Sequence, residues 1–235
     1  MAEGSPVWPG LPICLKRLWG AVTFGPILMP DTVDALLPLS FLEAVRNVDT
    51  PVEDFEAELV GELRNKRLGL SDTVYNQIKR FTEAVRRGQR TPYDEAVGLA
   101  RLLGRRPDAE AVFRAAGRQL AAESYRTLGG ISRRLMLLLP SLMARPIALR
   151  KVRRLAARHL DGRISRVGSH VLMEVPGSVT ADAAPRSIGC TYYEASLKEL
   201  LRLTVNVGGG VDHVRCASRG EGTCQWRMEW KGTSN

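Results

Sequence analysis

Hydrophobic positions recur along this chain with two periods. From Asp31 to Leu160 they fall three and four apart, as on one face of a helix, and beyond Arg163 they alternate over two stretches, as along strands. Asp31-Thr32 opens a helical pattern through Val33, Leu36 and Leu37 that Pro38 interrupts, and Phe41, Val45 and Val48 continue it as a second short turn. Thr50-Pro51-Val52-Glu53 has the form of an N-cap with proline at the first helical position. The helix after it carries Phe55, Leu59 and Leu63 and runs to about Arg67. Ser71 or Asp72 caps the next helix, with Val74, Ile78, Phe81 and Val85 on its apolar face and Gly88 at its end. Thr91-Pro92-Tyr93-Asp94-Glu95 repeats the cap-and-proline start ahead of Ala96, Leu99, Ala100 and Leu103. Asp108 begins another helix through Val112, Phe113, Leu120 and Tyr125.

Leu128-Gly129-Gly130 breaks the pattern, and residues 131–160 read as two helical pieces split around Pro140 to Pro146. The first carries Leu135, Met136, Leu138 and Leu139, and the second Leu149, Val152, Leu155 and Leu160. Arg163 to Val175 reads as one strand with a kink near Gly168. Pro176 to Ile188 is a loop, and Tyr192 to Val207 has helical spacing at Tyr193, Leu197, Leu200, Leu201 and Leu203. Gly208-Gly209-Gly210 joins it to a terminal hairpin of Val211–Arg215 and Thr223–Trp230 across the turn Arg219-Gly220-Glu221-Gly222. Helices first, then an antiparallel sheet with one helix, make an α+β plan without internal repeats.

Composition changes this picture in two respects. With 34 Lys and Arg against 25 acids, the chain carries +9. The excess arginine is spread through helices and is densest on the 145–158 segment, at Arg150, Lys151, Arg153, Arg154 and Arg158. A solvated outer face and a contact with acidic lipid or protein are the two readings of that segment. Aromatics are 6% and no nucleic-acid-reading motif occurs, so nucleic acid is not the expected partner. Residues 1–30 are rich in Pro and Gly yet hold Trp8, Leu11, Ile13, Leu15, Leu18 and Trp19, a composition suited to packing on the chain's own domain or on a partner subunit. Met1 to Pro12 has no basic stretch ahead of an apolar core, no run of about 18 apolar residues occurs, and four unpaired cysteines suit a reducing compartment; a cytoplasmic protein is expected.

The candidate chemistry lies in the last third. Cys190, His213, Cys216 and Cys224 supply three sulfurs and one imidazole. His213 and Cys216 are three apart on one hairpin strand, Cys224 opens the other, and Cys190 precedes a helix. A Cys3His set suits tetrahedral zinc with no open position, whereas three buried free cysteines and an ordinary strand histidine are the plainer alternative. Dinucleotide, P-loop, zinc-protease and serine-hydrolase motifs are missing, and His159 and His170 have no sequence-near partners that define a triad.

These four residues, with the aromatic-rich last strand, resemble the 4-vinyl reductase-type domain. That domain is known from an accessory protein of bacteriochlorophyll synthesis, from phenol-sensing bacterial activators and from archaeal regulators. The helical run Ala111-Val112-Phe113-Arg114-Ala115-Ala116-Gly117-Arg118 also looks like that family's early helix, so the similarity covers roughly residues 95–231. The resemblance implies a structural zinc on Cys190, His213, Cys216 and Cys224, with an acid usual where this chain has His213. It implies an α+β fold of helices on a twisted antiparallel sheet, with a cavity for a small aromatic or tetrapyrrole ligand. It also implies dimerisation through an N-terminal helical region, here 1–94, ahead of the ligand-binding domain at 95–231.

Pocket candidates are residues on elements expected to face one another: Tyr125, Met136, His170, Met173 and Trp226, for which ordinary core packing is the alternative. The reading that follows is a zinc-stabilised sensor or carrier acting through a partner. The alternatives are a non-catalytic dimeric scaffold of the same fold, or an accessory factor of bacteriochlorophyll synthesis. An enzyme, such as a tetrapyrrole vinyl reductase, is not the expectation, since nothing in the chain is fitted to a nicotinamide or flavin.

Overall fold

A computed structural model describes residues 30–50, 71–130, 141–205 and 209–229. The expected helix over 53–67, the Leu135–Leu139 piece with Met136, the apolar N-terminal segment and Cys14 lie outside the described residues. Within them the architecture is α+β, with six α-helices and two antiparallel sheets. The elements are β1 (Thr32–Asp34), α1 (Leu36–Asp49), α2 (Asp72–Arg86), β2 (Arg90–Pro92), α3 (Tyr93–Gly104), α4 (Ala109–Arg126), α5 (Ser141–His159), β3 (Arg163–Val167), β4 (His170–Val175), α6 (Thr191–Val205), β5 (Val211–Arg215) and β6 (Cys224–Glu229).

Several local readings need correction. Thr32–Asp34 is a strand, not a helical start, and pairs antiparallel with Arg90–Pro92. Pro38 does not interrupt α1, because it sits in the first turn, where the backbone N–H has no intrahelical partner to lose. Asp34 supplies the cap instead, its carboxylate accepting from the Leu36 amide at 2.9 Å. Thr50 closes α1, its hydroxyl donating to the Arg46 carbonyl. Pro146 lies inside α5, which runs through it as one helix at the cost of one backbone hydrogen bond. Arg163–Val175 is a hairpin of two strands: Gly168, at φ 58°, makes the left-handed turn that lets the chain fold back on itself. Thr91 and Pro92 belong to β2, so the expected cap-and-proline start of α3 is not made and the helix begins at Tyr93, while other elements follow the pattern. Ser71 caps α2 by accepting from the Val74 amide, and α6 begins one residue before the expected Tyr192.

One hydrophobic core runs from Val33 to Met228. At its centre α4 lies against α6, and Gly117 makes that approach possible: a Cβ there would sit 2.2 Å from the Tyr192 carbonyl oxygen. Ser196 uses the same proximity, its hydroxyl donating to the Gly117 carbonyl at 3.2 Å. α1 covers the other side of α4, and Arg106 ties the two through paired bonds to Asp49 (2.7 and 3.0 Å) and Asp108 (2.8 Å each). The larger sheet has the order β3-β4-β6-β5. Its inner face presents Ile164, Met173 and Trp226 in register toward the helices. No helix among the described residues is long and apolar enough to cross a membrane.

Candidate metal centre

The inner face of the terminal hairpin carries two donors, and a backbone irregularity brings in a third. Cys224 and Trp226 are two apart on β6 and so share a face; both are fully buried. His213 stands opposite Trp226 in the ladder, with the rings stacked at 4.9 Å between centroids and 11° between planes. Cys216 is three residues from His213, which on a regular strand would send the two side chains to opposite faces. Between His213 and Arg215 the register shifts: His213 pairs Trp226 and Arg215 pairs Gln225, two steps on β5 against one on β6. This bulge restores the parity and turns Cys216 inward.

Cys190 arrives from the other layer. It ends the short 3-10 segment Pro185–Cys190 and immediately precedes α6, 2% exposed. Gly189 holds that segment against Thr180, whose carbonyl oxygen would meet a Cβ at 2.2 Å. Arg186 and Ser187 take left-handed backbone angles, φ 55° and 58°, a conformation that costs a non-glycine residue about 1–3 kcal/mol. The arrangement turns the Ser187 hydroxyl toward Cys216 Sγ, at 3.2 Å. Ser218 approaches the same sulfur at 2.9 Å, and the two hydroxyls lie 3.1 Å apart.

The four donor atoms lie within 4.8 Å of one another. Cys190 Sγ and Cys216 Sγ are 3.8 Å apart. Two zinc–sulfur bonds of about 2.3 Å at a tetrahedral angle place their sulfurs at roughly that separation, whereas a disulfide needs about 2 Å. His213 Nε2 is buried with no hydrogen-bond partner. An orphaned imidazole nitrogen facing three sulfurs is what a fourth ligand position requires. Hydrogen bonds from outside support the sulfurs, as second-shell groups do in metal sites. The Ala217 amide donates to Cys224 Sγ at 3.4 Å, and the Cys216 amide donates to Glu221 at 2.5 Å, fixing the loop.

Charge is already arranged for a cation. The neighbouring Cys190 sulfur and the Ala217 amide hold the Cys224 pKa below the ordinary thiol range despite its burial. Cys190 is pushed the other way, first by the Cys224 sulfur and then by burial. Two thiolates this close repel, so the pair resists losing its second proton, and a bound divalent ion would displace it.

The expected pocket residues are dispersed. Met173 and Trp226 face each other across the β4–β6 ladder, both fully buried. Trp226 also contacts Tyr193, the next ring in a row that continues through Tyr192 and Phe41 to Phe113. Tyr125 is half-buried near the end of α4, and His170 is half-buried at the first position of β4, with Nδ1 3.4 Å from the Ser169 hydroxyl. A cleft of about 760 Å³ opens elsewhere, between α3 and the 176–182 segment. Tyr93, Val97, Arg101, Val179 and Asp182 line it, and Ala217 and Gly222 of the cysteine-bearing loop close one side. None of Tyr125, His170, Met173 and Trp226 lines this cleft. Tyr93 and Asp182 carried no sequence signal, because the cleft forms between segments more than 70 residues apart.

No model of a known protein family matches the chain, and no curated protein is significantly similar to it.

Proposed function

We propose that the chain is a zinc-stapled small-molecule-binding domain of the 4-vinyl reductase type, a sensor or carrier whose output passes through a partner protein. The observation that supports this reading is the convergence of Cys190, His213, Cys216 and Cys224 from two layers of the fold, their donor atoms within 4.8 Å of one another and the Cys190 and Cys216 sulfurs 3.8 Å apart. Three thiolates and one imidazole are the donor set of structural zinc. Four protein donors leave no position for water or substrate, so the ion acts as a staple between α6 and the hairpin. The folding free energy available from such a site is on the order of 10 kcal/mol.

The ligand site in this reading is the cleft beside the staple. Its volume falls within the range of small-molecule pockets, and its wall combines apolar Val97 and Val179 with the Tyr93 phenol. An aromatic or tetrapyrrole compound fits that mixture, and its binding would be felt by Ala217 and Gly222 of the metal loop. A scaffold of the same fold, dimeric and without a ligand, is the second reading. The full burial of Met173 and Trp226 favours it, since those positions hold packed core rather than a cavity.

Metal content of the protein purified without added zinc tests the staple. About one ion per chain is expected, lost in the Cys216→Ser/Cys224→Ser double variant together with cooperative unfolding. A metal-free wild type that unfolds just as cooperatively would remove it. Melting temperature with added phenol or porphyrin then separates the two functional readings: a rise that scales with concentration supports the sensor or carrier. No response from a stable dimer supports the scaffold.

A further inference from the structure

Acids pair with many of the cations among the described residues, and one dense basic run stands apart. Arg80 is paired with Glu95, Arg106 with Asp49 and Asp108, Arg114 with Glu110 and Glu194, Arg202 with Glu199 and Arg227 with Asp212. Between residues 150 and 166 stand seven cations, Arg150, Lys151, Arg153, Arg154, Arg158, Arg163 and Arg166, against one acid, Asp161. That acid is taken by Arg90, at 2.9 Å. None of the seven forms an ion pair with an acid among the described residues, and together with Asp161 they account for +6 of the chain's +9.

Arg150, Arg153, Arg154 and Arg158 form one face of α5, and Arg163 and Arg166, three apart on β3, flank it from opposite faces of the edge strand. α5 turns Leu149, Val152, Leu155 and Ala156 inward and leaves Arg150, Arg153, Arg154 and Arg158 exposed. Arg153 reaches the adjoining strand, its Nε donating to the Ile164 carbonyl at 3.0 Å, so β3 adjoins that face. There Arg163 and Arg166 are exposed on the edge strand of the sheet. Glu174, across the ladder from Arg163, accepts from the Thr223 hydroxyl. At the turn into β4, Val167 stands 59% exposed, a large apolar side chain beside the cations.

We propose that this face, α5 together with the β3–β4 hairpin, docks the protein on an anionic lipid surface. Phosphate headgroups would collect against the arginines, whose planar guanidinium groups bind phosphate oxygens in pairs. A cluster of four to eight basic residues is enough for such attraction. The apolar stripe of α5 is committed to the core, so the helix lies on the headgroups without entering the bilayer. The hairpin tip is the part that dips in, and Val167 separates lipid from nucleic acid as the partner: an exposed aliphatic tip gains contact with acyl chains but none with a phosphodiester backbone. Base stacking would call for aromatics, and the exposed tyrosine among the described residues, Tyr75, is on α2.

The test is cosedimentation of the full-length protein with phosphatidylcholine vesicles, with and without phosphatidylglycerol. Binding is expected only to the anionic vesicles, weakening as salt rises. The variant Arg150→Gln/Arg154→Gln/Arg163→Gln should bind on the order of 100-fold more weakly. An Arg86→Gln/Arg87→Gln/Arg105→Gln variant loses the same net charge elsewhere and should bind like the wild type. Val167→Ser should weaken binding while leaving its salt dependence unchanged. Equal binding to the two vesicle types, or an equal loss in both triple variants, would overturn the proposal. Tighter binding to duplex DNA or RNA than to phosphatidylglycerol, lost in the first triple variant, would overturn it too and reassign the face to nucleic acid. Unchanged melting temperature and metal content confirm that each variant is folded.

Discussion

Cys190 and Cys216 are 26 residues apart in the chain, belong to different layers of the fold, and hold their sulfurs 3.8 Å from each other. The separation is too long for a disulfide and matches two ligands of one tetrahedral ion. Two buried thiols brought this close with a third, Cys224, and an unpartnered imidazole nitrogen form a cluster that could hold a metal ion.

The hydroxyls around Cys216 give the first prediction. Ser187 and Ser218 both place their hydroxyls within hydrogen-bond reach of its sulfur, at 3.2 and 2.9 Å, where they can support a metal-bound sulfur. The Ser187→Ala/Ser218→Ala variant should bind zinc about 10–100-fold more weakly, as loss of such supporting groups usually does. Competition with a chromophoric chelator measures this, and unchanged affinity would reduce both serines to loop packing.

The metal should also depend on pH, in a direction fixed by the proton that Cys190 and Cys224 share. The two sulfurs are coupled and the second proton of the pair is held up by the neighbouring sulfurs and by burial, so it must be expelled for both to bind one ion. Ion binding therefore releases protons, and affinity should fall as pH falls. Calorimetry in two buffers of different ionisation enthalpy would reveal the release; identical heats would contradict it.

Acid should weaken the fold through Asp34 and Asp108. Burial alone would raise the Asp34 pKa, but the His159 ring nitrogen 3.2 Å away and the bond from the Leu36 amide outweigh it and leave it below the ordinary 3.8. Asp108 is lowered first by Arg106. A carboxylate with a depressed folded pKa contributes stability above its unfolded pKa and loses it as pH falls through the folded value. Urea unfolding should therefore show stability declining below about pH 4. In Asp34→Asn that decline should be shallower, and the cap of α1 weaker at neutral pH.

Two helix glycines should respond in opposite ways to alanine. At Gly117 a Cβ would meet the Tyr192 carbonyl at 2.2 Å, so Gly117→Ala must push α4 from α6 and should cost about 1–3 kcal/mol. At Gly98, on the exposed side of α3, a Cβ would meet nothing within 4 Å. Gly98→Ala should gain up to about 1 kcal/mol from helix propensity. Urea midpoints of the two variants decide it, and equal effects would mean that α4 and α6 can part without cost.

Legible in the chain alone were the helices whose apolar spacing is regular, the cap at Ser71, the terminal hairpin and the identity of the four side chains that converge as a candidate metal centre. Each is written locally, in a period or a residue type. Tertiary structure decided what local pattern leaves ambiguous. Thr32–Asp34 became a strand because Arg90–Pro92 lies beside it, and Gly168 became a hairpin turn where alternation alone reads as one kinked strand. His213 and Cys216 share a face only because of a one-residue register shift, which leaves no trace in composition. Met173 and Trp226, amphipathic by type, are core because the helices cover them, and the cleft lies where α3 meets a loop distant in the chain. A period records which side of an element is apolar; only the packed neighbours decide whether that side closes on core, metal or ligand.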